Sequence, residues 1–101
     1  VLMIKASEET LRKAKLRARK MSSDVLDEDI KSLAEAVLWD LKRIGVHEEY
    51  LTRQDDPLIM EAILNYVSAN YGMDENHNRY MDMYNMVLTK IKGGRYKEWT
   101  Q

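Results

Sequence analysis

The sequence predicts an all-α fold, a small bundle of about four helices followed by a flexible C-terminal tail, and three observations point there. Apolar residues recur at spacings of three and four along most of the chain, the period of a helix face. The single proline and the glycines stand where a helix would start or stop. Strand-like alternation is absent, except in the last few residues. With 101 residues, 45% of them hydrophobic, the chain can bury one core and no second one. That composition is too apolar for a disordered segment.

The first helix is expected over residues 8–21, with Ser7 as its N-cap and Glu8 and Glu9 at the positive end of its dipole. The second is expected over 27–44 and has the clearest pattern. Its stripe is Ile30, Leu33, Ala34, Val37, Leu38, Leu41 and Ile44, and Gly45 ends it. A third helix, 57–71, starts at Asp56-Pro57, where a proline at the first helical position loses no bond it could have made, and should stop at Gly72. The fourth, 77–92, turns Tyr80, Tyr84, Val87, Leu88 and Ile91 inward. Residues 93–101 form the tail, released at Gly93-Gly94.

The helix at 57–71 raises a question, because it is apolar almost all the way round. Glu61, Asn65 and Ser68 make one thin polar stripe, and apolar side chains cover the rest. A soluble chain rarely leaves a large apolar patch open. Either another subunit covers the helix, or it is central, wrapped by its neighbours and by the connection 46–55, with Tyr50 and Leu51 as a lid. On the first answer, Trp39, Met60, Leu64, Tyr71, Met81, Met83 and Met86 are the candidate contacts. Tyr96 and Trp99 in the tail are residue types enriched among interface anchors.

Charge is unevenly spread. Residues 1–23 carry seven Lys/Arg against two Glu, and the remainder nine against fifteen acids. Arg12, Lys13, Lys15, Arg17, Arg19 and Lys20 crowd the first helix, where they could neutralise phosphates or face an acidic partner. A solvated helix balancing the acidic body is an equal reading.

Signals for catalysis are weak, and no enzyme is expected. His47 and His77 form no His-Glu-x-x-His zinc pattern and read as solvated surface residues. Asp74-Glu75-Asn76-His77-Asn78 opens like a calcium loop, but Arg79 stands where glycine is needed and Asn85 where a bidentate carboxylate is needed. Asp55 and Asp56 read as helix capping. Gly93-Gly94 leads into no phosphate loop, and about ten residues between the second and third helices are too many for a helix-turn-helix. Without cysteine, no disulfide or thiolate metal site can form, which is compatible with the cytoplasm. No cofactor and no membrane contact are expected, and no signal peptide is legible.

One resemblance emerges from the pattern. An acidic start leads into Asp29-Ile30-Lys31-Ser32-Leu33-Ala34-Glu35-Ala36-Val37, then Asp40-Leu41 and Gly45-Val46. After a loop come Asp56-Pro57-Leu58-Ile59, Glu61 to Gly72, and Arg79, Tyr84 and Leu88. From about Asp27 to Leu88 the chain resembles the head-tail connector, or adaptor, proteins of long-tailed bacteriophages and prophages. The resemblance implies a virion protein made in the bacterial host cytoplasm, forming a ring of twelve copies under the portal protein. Such a ring extends the channel for packaged DNA without reading its sequence, and it docks a stopper or tail-completion protein. It also implies that neighbouring copies cover what one copy cannot. The competing reading is a small helical nucleic-acid-binding or regulatory protein that uses the basic first helix.

Overall fold

The computed structural model describes residues 4–71 and 74–99, and these form five helices and no strand. They are α1 (Glu8–Arg19), α2 (Asp27–Arg43), α3 (Glu48–Arg53), α4 (Pro57–Tyr71) and α5 (Asp74–Gly93). The stop expected at Gly72 lies outside the described residues. The all-α expectation holds, while the helix count is five rather than four.

The added helix is α3, in the segment expected to be a connection. His47 caps it, its Nδ1 accepting from the Glu49 N–H at 3.1 Å, and Glu48 and Glu49 occupy its first turn. Leu51 is its buried anchor. It ends at Gln54, which holds a left-handed conformation at φ 54°. Upstream, α2 closes with Gly45 at φ +97°, the Gly45 N–H donating to the Lys42 carbonyl and the Val46 N–H to the Leu41 carbonyl. This pair of bonds is a Schellman ending, and it turns the buried Val46 back beside Leu41.

Helix α4 is the centre of the molecule: α1, α2 and α5 all pack on it. The second answer to the question raised by the sequence is therefore the structural one, with neighbouring helices as the main cover. Ile59, Ala62, Ile63 and Val67 have no exposure at all. They join Ile30, Val37, Leu38 and Leu41 of α2 and Tyr84, Val87 and Ile91 of α5 in one core. Of the thin polar stripe, Glu61 is exposed while the other two residues are not. Asn65 and Ser68 are buried, their side chains donating to the carbonyls of Glu61 and Leu64 one turn back. Arg17 of α1 donates to the Ser68 hydroxyl, so α1 lies over this stripe. Its contact face is made of Thr10, Ala14 and Ala18, small enough for close approach.

Gln54 joins the elements. Its Oε1 accepts from the Ser7 N–H at 2.9 Å and the Thr10 hydroxyl at 2.7 Å, and its Nε2 donates to the carbonyls of Lys5 and Leu51. The segment before α1 is thereby fixed, with Ile4 buried and the Ala6 N–H on the Glu35 carboxylate.

The tail also differs from expectation, because residues 94–99 fold back onto the body. The Tyr96 ring meets Tyr50, with ring centres 4.9 Å apart, and its hydroxyl donates to Asp56 at 2.7 Å. The Tyr96 carbonyl accepts from the His47 N–H. Trp99 completes the contact edge-on to Tyr50 and beneath the Arg53 guanidinium. Release at the glycines was the sequence reading, but two aromatic rings and an acceptor at Asp56 give the segment a seat.

Candidate functional site

Residues expected at an interface fall into three groups. Met60 and Leu64 lie half-buried on the seam between α4 and α1, where they line a cleft of about 310 Å3 with Lys13, Asp55 and Glu61. Tyr71 and Met81 are partly buried against the core. Trp39, Met83 and Met86 are the open ones, at 39%, 41% and 61% exposure. Helix geometry explains the division. Trp39 falls outside the buried stripe of α2, and Met83 and Met86 fall outside the buried stripe of Tyr84, Val87 and Ile91 on α5.

A half-buried contact lies beside Trp39 and Met83. The Tyr84 hydroxyl donates to Asp40 at 2.8 Å, and Arg43 pairs with the same carboxylate at 3.2 Å. Tyr84 also packs against Tyr66, with ring centres 5.1 Å apart. Trp39 and Met83 are the chain neighbours of the bonded pair. The Lys42 ammonium sits over the Trp39 ring at 4.9 Å, so Trp39 is partly covered from its own helix.

Burial, and then the bond to Asp40, push the Tyr84 hydroxyl well above the ordinary tyrosine range, and Tyr96 on Asp56 moves the same way for the same reasons. The sign follows from linkage. An unfolded tyrosine ionises near pH 10 while the folded one keeps its proton, so this stabilisation is intact below about pH 10 and is lost above it. Unfolding free energy should therefore be flat from neutral pH to about pH 9.5, then fall by up to about 1.4 kcal/mol per pH unit through Tyr84. Denaturant titrations across pH 8–11.5 check this, and Tyr84→Phe should flatten the alkaline limb.

The basic helix is less open than its composition suggests. Arg12 is held by the Glu9 carboxylate through both Nε and Nη2, and this bond depresses the Glu9 pKa. Lys15 reaches Asp27 at 2.9 Å, and Arg17 is turned inward to Ser68. Lys13, Arg19 and Lys20 remain exposed with no ion pair among the described residues. The six cations expected to face DNA or an acidic partner thus do not present one continuous face.

Tyr96 and Trp99, expected on a free tail, are seated on α3. The histidines, expected to be solvated, both take part in helix ends. Besides the His47 cap, His77 donates its Nδ1–H to the Ala69 carbonyl at the end of α4, at 2.8 Å. Asp56 accepts from the N–H groups of Leu58 and Ile59, which bears out its reading as a cap.

No family model, curated protein or solved structure matches the chain.

The seat under the tail is the part of the surface that sequence reasoning missed. Tyr50, Arg53 and Asp56 form it from two elements that meet only in three dimensions. The one signal in the sequence was the acidic start and basic end of the segment 48–53, which mark a short helix.

Proposed function

We propose that this chain is a structural protein of a phage or prophage particle, a head-tail connector that assembles as a ring of twelve copies under the portal. The observation that carries the reading is the set of outward side chains Trp39, Met83 and Met86, which stay exposed beside the Asp40–Tyr84 bond between α2 and α5. Aromatic and methionine side chains are enriched at protein interfaces. The likeness to connector proteins over Asp27–Leu88 supplies the assembly, a ring in which each copy covers its neighbour. The ring extends the DNA channel and presents its far face to a stopper or tail-completion protein.

On this reading the chain has no reaction to catalyse. Its work is to close a channel wall and to hold two other proteins. Tyr96 and Trp99 reach the portal by exchanging their seat on α3 for one there, and deleting residues 95–101 weakens portal binding. The competing nucleic-acid reading loses support from the engagement of Arg12, Lys15 and Arg17 within the chain.

The test is assembly on purified portal rings. The double substitution Met83→Asp and Met86→Asp should abolish ring formation while leaving helical content and thermal unfolding close to those of the parent, because both side chains are exposed. Unaltered assembly on the portal would overturn the reading. Tight, salt-sensitive DNA binding by the isolated chain at physiological ionic strength would favour the alternative.

A further inference from the structure

Two neighbouring patches, which the connector reading does not use, carry exposed leucines and opposite charge. On α1, Glu8, Leu11, Arg12, Lys15, Leu16 and Arg19 line a shallow groove of about 390 Å3. Their spacing makes one stripe along the helix, and Leu16 within it is 50% exposed. In the turn ahead of α2, Leu26 is 66% exposed, the largest value among the big apolar side chains of the described residues. It stands among Asp24, Asp27 and Glu28, all at the surface. The Lys15–Asp27 pair places the groove and the turn side by side. Arg19, Asp24 and Glu28 have no ion pair among the described residues.

Adjacent patches of opposite charge make a surface complementary to itself. A two-fold rotation sets the groove of one copy against the acidic turn of the other, twice, which is the isologous arrangement of closed dimers. We propose that this surface is a dimer interface, in which Leu26 of each copy enters the α1 groove of the other and Arg19 faces Asp24 and Glu28 across it.

A second copy suits both patches at once. Nucleic acid suits one only, since phosphates drawn to Arg19 would also approach the carboxylates of the turn. Each half supplies an apolar centre, Leu16 and Leu26, with a charged rim, as interfaces do. The area is small, so the dimer is weak and salt-sensitive. It leaves Trp39, Met83 and Met86 open, and is therefore separate from the ring contact.

Sedimentation of the isolated chain across concentration, at low and at physiological salt, tests the proposal. The expected result is a concentration-dependent dimer that weakens as salt rises. Leu26→Glu should raise its dissociation constant at least about tenfold, since the new charge must be desolvated. Arg19→Glu should raise it roughly two- to fivefold, the range of an exposed ion pair, and adding Glu28→Arg should restore it. Met86→Asp should leave it unchanged, and that variant separates this contact from the ring. A strict monomer at the highest soluble concentration would overturn the proposal. So would a dimer indifferent to Leu26→Glu, or one abolished by Met86→Asp. Leu26 is exposed, so thermal unfolding of its variant should match the parent.

Discussion

Gln54→Ala is expected to lower the unfolding free energy by about 3–5 kcal/mol, a large effect for one uncharged side chain. The amide is almost wholly buried and uses both of its ends: two donors reach Oε1, and Nε2 reaches two carbonyls. Each bond contributes about 0.5–1.5 kcal/mol net, and truncation also strands the partners of the two buried bonds, the Thr10 hydroxyl and the Leu51 carbonyl. At this chain length the melting temperature should fall by roughly 12–30 °C. Two further variants identify the cause. Gln54→Gly relieves the left-handed backbone and should recover about 1 kcal/mol of the loss. Gln54→Glu preserves the volume and the Oε1 acceptor but presents an oxygen to the carbonyls of Lys5 and Leu51, so it should be nearly as damaging as alanine. Chemical denaturation measures all three. A Gln54→Glu protein as stable as the parent would show that shape, rather than the Nε2 bonds, matters at this position.

Removing residues 95–101 should lower stability by about 2–3 kcal/mol, where a free tail would contribute nothing. The loss combines the contact of Tyr96 and Trp99 with Tyr50, the bond from the Tyr96 hydroxyl to Asp56 and the bond from the His47 N–H, offset by freedom regained in the segment. Tyr96→Phe keeps the ring and removes only the bond to the carboxylate, and should account for about 1–2 kcal/mol of the total. Asp56 retains its bonds to Leu58 and Ile59 in that variant, so the start of α4 is not at issue. Equilibrium unfolding of the truncated and substituted chains gives both numbers. A truncated chain within about 0.5 kcal/mol of the parent would mean that the seat on α3 carries no load.

Four helices were legible because each has a long apolar period, and three have a recognisable start: Ser7 for α1, the acids for α2 and Asp56-Pro57 for α4, while α5 begins at Asp74, ahead of the expected 77. Helix α3 was not. Six residues are under two turns, its cap is a histidine, and its terminator is Gln54, where glycine would have signalled a stop. The burial of Asn65 and Ser68 within the polar stripe of α4 was illegible for a different reason. Asn65 and Ser68 bond to their own helix one turn back, so they need no water and can lie beneath α1. Sequence registers their polarity but not that self-satisfaction. The exposure of Trp39, Met83 and Met86 followed directly from their absence from the stripes of α2 and α5. The half-burial of Met60 and Leu64 did not, because it depends on which side of α4 receives α1. For the tail, Tyr96 meets a partner 40 positions away at Asp56, a pairing that no local pattern encodes.

Gln54 and Asp56, two positions apart, receive the two ends of the described chain: Lys5 and Ser7 on one, Tyr96 on the other. The polypeptide is in effect a loop drawn shut at a clasp of a few residues. In such a loop the positions of the first and last helices are set less by the fold than by where the ring of chain happens to be cut. A circular permutant of residues 4–99 opened between two other helices, with those two positions joined across the clasp, would keep the same neighbours around α4.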